Sequence, residues 1–432
     1  MDTLYSDYEK IVPSEKLPDF LFHYFNLYRG IPWVKDVGEN AFYDALQSTA
    51  KNYDSHKLFF TFLDWIFLKA YTTKNFFIGL GRDRKKIIFR PFKYFNITLG
   101  AKKYHNVGLI VHGRDRLVAM KHGMGYISTS DLDQHLLAYK KDKNITHLHR
   151  LIKKIERKLI IAKPDYVVLW NDVLPLERAI ALASKKLGIT TLEIHHGIFD
   201  EIIPMETGKI ADYVLVWGKY FKDLYVNRYK RNPENIYILG YPYVIGKNQP
   251  NQAIGSKHKY LACYLGQNFE VYNKELVDIK VETVKKIHEI CNTLGMDFAY
   301  RPHPGDDRTF LEKNLAGVAF TPKEEALART LARADILISF SSTALVEAAM
   351  RSKVALQLLN YPLKSDSFEV LGGCSKSLQT LEELEDYLKK VSSADNLDTF
   401  KTSFNNDYVE TRHNPTVRFL EIIKEIEKKH AK

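Results

Sequence analysis

From about residue 144 onward, apolar positions along the chain alternate between two periods. Stretches with helical spacing are followed by short β-branched runs, the pattern of parallel sheets covered by helices. The first series predicts strands at 166–170, 190–194 and 213–217, with a helix over 174–187 closed by Gly188. The second predicts a strand at 260–265, a long helix from 274 to 294, and strands at 297–300, 336–339 and 354–358. Between them, residues 243–258 carry Gly246, Asn248, Pro250, Asn251 and Gly255, the composition of a linker. The expected organisation is α/β, with two doubly wound Rossmann-like units. They are an N-terminal unit over 1–242, a C-terminal unit over 259–410, and a final amphipathic helix over 411–432 that packs back through Val417, Phe419, Leu420, Ile422, Ile423 and Ile426.

The first hundred residues are rich in Phe and Tyr and keep no clear period. Residues 75–80 and 86–92 read as strands of a hairpin around 81–84, and 108–112 as a further strand. The most apolar stretch, 58–80, contains Asp64, Lys69 and Lys74 and so makes a poor membrane span. Its aromatic-rich part is read first as a buried helix and second as one lying on a membrane surface.

At 432 residues the chain exceeds one ordinary core and suits two units of roughly 200 residues each. A content of 45% hydrophobic and 27% charged residues is that of a globular chain. Residues 1–10 are polar and partly acidic, unlike a secretory leader, so a cytoplasmic protein is expected, with peripheral contact at the inner membrane surface left open. Cys263, Cys291 and Cys374 are far apart and lack a CxxC spacing, which suggests buried thiols and neither a disulfide framework nor a zinc site. The net charge of +11 favours anionic partners, among them nucleotide-linked sugars and lipid-linked acceptors. The charges are dispersed, with no zinc finger, RNP box or basic arm, so nucleic acid is not an expected partner.

Four polar clusters follow predicted strands, where doubly wound folds bind ligands. They are His195-His196-Gly197, Gly266-Gln267-Asn268, Arg301-Pro302-His303-Pro304 and Ser339-Phe340-Ser341-Ser342-Thr343. The serine cluster precedes the helical stretch 344–350 containing Glu347, where hydroxyls and free amides suit a phosphate, although plain helix capping explains it equally well. In the Arg301 loop, two prolines stiffen the backbone around a cation and an imidazole, a fitting pair for a phosphate leaving group. Gly197 permits close backbone approach, and a histidine before it can take a proton from an acceptor hydroxyl. Of His195 and His196, one can be structural. Asp172 competes as the base, with capping of the 174–187 helix as its plainer role. Asp306 and Asp307 read as solvated or capping residues.

These clusters, in this order over about 164–362, resemble the GT-B glycosyltransferases of bacterial capsule and lipopolysaccharide biosynthesis. The stretch from Pro164 through Gly188 to Gly197 resembles the capsule group that includes Kdo transferases. The His303-Pro304 and Ser341-Ser342-Thr343 pairings are similar to the HP and S/T motifs of sialyl- and polysialyltransferases, and to those of teichoic-acid glycerophosphotransferases. The resemblance implies a GT-B fold, a CMP-sugar donor and a saccharide or lipid-linked acceptor. It also implies that His303 engages the donor phosphate, that Ser341, Ser342 and Thr343 hold it, and that Glu347 binds ribose. The acidic pair followed by glycine that sialyltransferases use as their base is missing, which leaves His196 as the preferred base. The expectation is an inverting transfer of a Kdo- or sialic-acid-like sugar without metal or cofactor. The rivals are a CDP-glycerol-type glycerophosphotransferase, a UDP-sugar epimerase on the same fold, and a non-catalytic polysaccharide-binding scaffold.

Overall fold

The computed structural model describes residues 11–23, 25–26, 42–44, 46–47, 85–90, 94–111, 115–195, 210–243, 258–268, 273–340, 342–360, 374–402 and 404–431. Two sheets organise them. The first contains β1 (Lys86–Arg90), β2 (Asn106–Val111), β3 (Gly125–Ser128), β4 (Tyr166–Leu169), β5 (Thr190–Ile194), β6 (Tyr213–Val216) and β7 (Ile236–Ile238) in the order β3-β2-β1-β4-β5-β6-β7. The second contains β8 (Leu261–Leu265), β9 (Asp297–Arg301), β10 (Ala319–Phe320), β11 (Ile336–Ser339), β12 (Val354–Leu358) and β13 (Lys376–Leu378) in the order β10-β9-β8-β11-β12-β13. Among the described residues every strand pairing is parallel, for example Ile88 beside Val167 and Ile338 beside Tyr264. Parallel neighbours need crossover connections, and helices fill that role between most of these strands. In each sheet the chain steps outward over three strands and then returns past its starting strand. The order therefore reverses between β1 and β4 in the first sheet and between β8 and β11 in the second, the switch points where ligands dock. The α/β, doubly wound class expected from the sequence is what the sheets form.

The hairpin expected around 81–84 is corrected. Strand β1 pairs in parallel with β2 on one side and β4 on the other, so it has no edge left for an antiparallel partner. Ile87, Ile88 and Phe89 in succession are all buried, and such an unbroken apolar run marks a central parallel strand covered on both faces. The proposed partner, 75–80, lies outside the described residues, as do the aromatic stretch 58–80 and most of the linker.

Helices cover both faces of the first sheet. One face packs on α5 (Thr146–Ala162) through Leu148, Leu151, Ile152, Ile155 and Leu159, and on α6 (Pro175–Lys186) through Ala179, Ile180 and Leu182. The other face receives α13 (Pro415–His430), whose Phe419, Ile422, Ile423 and Ile426 are all buried against Ile87, Phe89 and Leu109. Asn414 starts that helix by accepting from the amides of Thr416 and Val417, with Pro415 at the first helical position. The chain reaches α13 through a segment that threads beside β6: the Glu410 amide donates to the Trp217 carbonyl at 2.8 Å, and the Glu410 carbonyl accepts from Tyr241 at 3.2 Å. Gly240 sits there at φ +87°, and a Cβ on it would stand 2.6 Å from the Glu410 carbonyl oxygen. One apolar cluster takes in β6 residues, Trp217 and Tyr241 together with Cys263, Leu265, Leu337 and Leu345 of the second unit.

Candidate functional site

The carboxyl ends of β8, β9 and β11 bring three of the sequence clusters together. At the switch point, the buried Ser339 hydroxyl donates to the Leu265 carbonyl at 2.7 Å and lies 3.5 Å from the Gln267 side-chain oxygen. Gly266 follows β8 directly, its amide donating to the Arg301 carbonyl at 2.8 Å, so β8 and β9 stay paired into their loops. A Cβ at Gly266 would stand 2.4 Å from the Tyr300 hydroxyl oxygen, which leaves room for glycine alone. Gln267 and Asn268 are half-buried, and the Asn268 amide donates to the Gly305 carbonyl at 3.0 Å, tying the β8 loop to the β9 loop.

Within the β9 loop, His303 reaches the surface with its ring partly shielded by the loop, and its Nδ1 accepts from the Gly305 amide at 3.1 Å. An accepting Nδ1 places the proton of the neutral ring on Nε2. Partial burial of the ring pulls its pKa below the usual imidazole value; the nearby Asp306 charge opposes this and the Lys280 charge adds to it. The neutral ring is thus the form near pH 7.

Arg301 does not present a loose cation. Its guanidinium donates to the Thr330 hydroxyl at 2.7 Å and to the Glu325 carbonyl at 2.9 Å, while Glu325 also pairs with Arg333 at 2.9 Å. The charge braces the loop that follows β10. Asp306 departs from the solvated or capping role expected of it: its side chain is 0% exposed and meets the Lys280 ammonium, 1% exposed, at 2.8 Å. Asp307 does cap, accepting from the Phe310 amide at the start of α9 (Arg308–Asn314).

Past β11, Ser342 accepts from the Ala344 amide at 3.2 Å at the start of α11 (Ala344–Met350), and Thr343 is half-buried. Glu347, in that helix, accepts from the Tyr241 hydroxyl at 2.6 Å, a bond that joins the two units. Burial raises the Glu347 pKa; the Tyr241 hydrogen bond and then the Arg351 charge oppose the rise. Ser341 lies outside the described residues.

On the first sheet, β5 leads to His195 and the cluster beyond it. His195 is 0% exposed, its ring centroid 4.9 Å from that of Trp217 and 4.4 Å from that of Phe221. Its carbonyl accepts from the Trp217 indole at 2.6 Å, and the Ile194 carbonyl accepts from the Tyr94 hydroxyl at 2.7 Å. The backbone immediately before His196 is held rigidly, whereas His196 and Gly197 lie outside the described residues. Asp172 is 0% exposed, and one carboxylate oxygen accepts from the amides of Ile210 and Ala211 at 2.7 and 2.9 Å. The turn into α6 is made instead by Asn171, whose side-chain oxygen accepts from Val173 and Leu174. Sequence reading also passed over Arg90, which ends β1 at the first switch point and pairs with Glu177 at 3.1 Å, both nearly enclosed.

A cavity of about 690 Å³ opens at the opposite, amino edge of the first sheet, lined by Lys85, Lys163, Thr190, Glu427 and His430 among others. Doubly wound sheets take their ligands at the carboxyl edge, so that cavity is separate from the site assembled above. Among the described residues, no group of three or more His, Cys, Asp or Glu side chains is placed to hold a metal ion, and no helix is long and apolar enough to cross a membrane.

Neither a protein-family model nor a curated protein sequence matches the chain. Among solved structures it is similar to the UDP-GlcNAc 2-epimerase of Methanocaldococcus jannaschii in complex with UDP-GlcNAc and UDP, at 17% identity over 79% of this chain and 100% of that one, with a TM-score of 0.54. It is similar also to a putative UDP-N-acetylglucosamine 2-epimerase of Listeria monocytogenes, at 14% identity over 80% of this chain and 97% of that one, with a TM-score of 0.56. A third likeness is to the UDP-GlcNAc 2-epimerase of Neisseria meningitidis bound to UDP-GlcNAc, at 13% identity, 79% and 99% coverage, and a TM-score of 0.55. At these identities the likeness is one of fold, and the fold is of the GT-B type.

Proposed function

We propose that the chain is a nucleotide-sugar enzyme whose donor lies on the loops after β8, β9 and β11, and that its reaction is transfer of the sugar to a saccharide or lipid-linked acceptor. The observation that carries this reading is the convergence of the Gln267–Asn268 loop, the His303 loop and the Ser342–Thr343 turn at the second switch point, tied by the Asn268 and Ser339 hydrogen bonds. The neutral Nε2–H of His303 would donate to the departing phosphate, with the Ser341, Ser342 and Thr343 hydroxyls beside it. Glu347, which also accepts from the Tyr241 hydroxyl, would take the ribose. His196 is proposed as the base, because the enclosure of both His195 and Asp172 supports it over them. The resemblance of the His303-Pro304 and Ser341-Ser342-Thr343 motifs to those of CMP-sugar transferases is what supports a CMP-linked donor.

A second reading, a UDP-sugar epimerase, is supported by the likeness in fold to UDP-GlcNAc 2-epimerases, of which those of Methanocaldococcus jannaschii and Neisseria meningitidis hold UDP-GlcNAc. A thermal-shift series with CMP, CDP, UDP and UDP-GlcNAc separates the donors, since a ligand at about 100 times its Kd stabilises by about 2.7 kcal/mol. Product formed only when an acceptor is added supports transfer; a changed sugar nucleotide without acceptor supports epimerisation. His303→Ala is expected to lower turnover by roughly 10²-fold in a folded protein, and His196→Ala to abolish transfer while keeping nucleotide binding. Stabilisation by none of the four nucleotides would overturn both readings.

A further inference from the structure

Lys280 stands on the buried face of α8 (Leu276–Thr293), in line with Leu276, Val281, Val284, Ile287 and Cys291. A lysine there is tolerated only with a partner, and Asp306 supplies it at 2.8 Å, with the two side chains 1% and 0% exposed. The same carboxylate collects two further donors: its other oxygen accepts from the Tyr300 hydroxyl at 2.9 Å and from the backbone amide of His303 at 2.8 Å. One carboxylate thereby fastens α8, β9 and the His303 loop to a single point. The loop closes on itself as well, the Asp306 amide donating to the His303 carbonyl at 2.9 Å and the Gly305 amide to His303 Nδ1 at 3.1 Å. A Cβ at Gly305 would stand 2.5 Å from the Asn268 amide nitrogen and 3.4 Å from His303 Nδ1, so the turn leaves no slack on that side.

Desolvating two charges is expensive, and an apolar pair of the same volume is often equally stable or more so, so a buried pair of this kind is better explained by what it specifies than by the stability it adds. What this pair specifies is the backbone on which His303 sits and the ring nitrogen that faces outward. We propose that Lys280 and Asp306 are positioning residues which hold His303 as the neutral imidazole protonated on Nε2, presenting that N–H to the phosphate of a bound nucleotide. The phosphate half of this inference rests on the proposed function; the hold on the ring does not. The charges acting on the ring are Asp306 from its own loop and Lys280 from α8, and they oppose one another. Removing them singly should therefore shift the His303 titration in opposite directions, and if the pair also positions the loop the ring's tautomer should change with it, which the loss of a nearby charge alone would not cause.

The test uses the full chain labelled with ¹⁵N-histidine, with His303→Gln identifying the His303 signals. In the wild type above its pKa, Nδ1 is expected at the unprotonated shift and Nε2 at the protonated one. Lys280→Met should raise the His303 pKa, and Asp306→Asn should lower it and mix the two tautomers. Turnover of either variant should fall by about 10²-fold, the scale of a catalytic group misplaced by an ångström. Should a single variant fail to fold, Lys280→Met with Asp306→Asn leaves no uncompensated buried charge, and it should show a near-wild-type pKa with mixed tautomers. A proton on Nδ1 in the wild type, or an unchanged tautomer and pKa in folded variants, would overturn the proposal. Added CMP or UDP should shift the His303 signals. If neither nucleotide does while the tautomer results hold, the phosphate assignment falls and the pair's hold on the ring stands.

Discussion

Tyr241→Phe removes one oxygen from the contact between the two units and nothing else of comparable size. Tyr241 is 4% exposed, and its hydroxyl is 2.6 Å from the Glu347 carboxylate. A hydrogen bond to a charged group contributes about 1.5–3 kcal/mol, and the phenyl ring should keep the 5.1 Å edge contact with Trp217. Burial raises the Glu347 pKa and the Tyr241 bond restrains it, so the substitution raises it further. A carboxyl whose folded pKa lies above its unfolded value, about 4.3, stabilises fully below that value and loses the contribution as pH rises through the folded pKa. A further rise enlarges that loss, so the deficit of Tyr241→Phe should grow with pH. At pH 8 a deficit of about 2 kcal/mol corresponds to a Tm lowered by roughly 4–8 °C for a cooperative unit of about 200 residues. At pH 5 it should be clearly smaller. Differential scanning calorimetry of both proteins at the two pH values measures this, and an equal shift at both, or none, would refute the reasoning.

Gly266→Ala should weaken nucleotide binding and lower stability by about 1–3 kcal/mol, because its Cβ would drive the Tyr300 hydroxyl off Asp306; titration calorimetry and a melt, with unchanged values refuting it, check this. His135 provides a pH test away from the site: burial, with Lys154 next, lowers its pKa to about 4. The unfolded chain then binds more protons between about pH 6.5 and 4, so stability falls as pH drops through that window. Because the ring is only partly enclosed, solvent screening keeps the effect to about 1–2 kcal/mol, and a folded His135→Gln should show a shallower slope of stability against pH over the same range.

Besides β1, eight strands were legible (β2, β4, β5, β6, β8, β9, β11 and β12) because each is a short, largely apolar run buried on both faces, as Val167, Val168 and Leu169 show in β4 and Ile336, Leu337 and Ile338 in β11. Strand β1 was legible as a strand but not in its pairing, since topology is fixed by which edges are free and not by local composition. Strands β10 and β13 carry two and three residues, partly exposed, and leave almost no periodic signal. The site followed the same division. The rule that ligands sit beyond strand ends located the loops, whereas the partners inside them come from contacts distant in sequence, 26 residues apart for Lys280 and Asp306 and 106 for Tyr241 and Glu347. Lys280 did leave a trace, as a charge on the apolar stripe of a predicted helix.

Where the cations end up changes what the site asks of its ligand. The sequence placed Arg301 as a permanent charge beside His303, yet the fold spends that guanidinium on Thr330 and Glu325, and Lys280 is neutralised by Asp306. In the described residues of the three loops, the other side chains able to donate a hydrogen bond are neutral: the imidazole of His303, the hydroxyls of Ser342 and Thr343 and the amides of Gln267 and Asn268, and on the proposed function it is groups of this kind that meet the phosphate. Neutral donors fixed in advance discriminate by direction more than by charge, which suits a phosphate whose charge grows as it departs, because each N–H or O–H strengthens with that charge and needs no reorganisation. The buried pair behind His303 then matters more than any added surface cation would, since the direction of a single neutral N–H is only as good as the backbone that holds it.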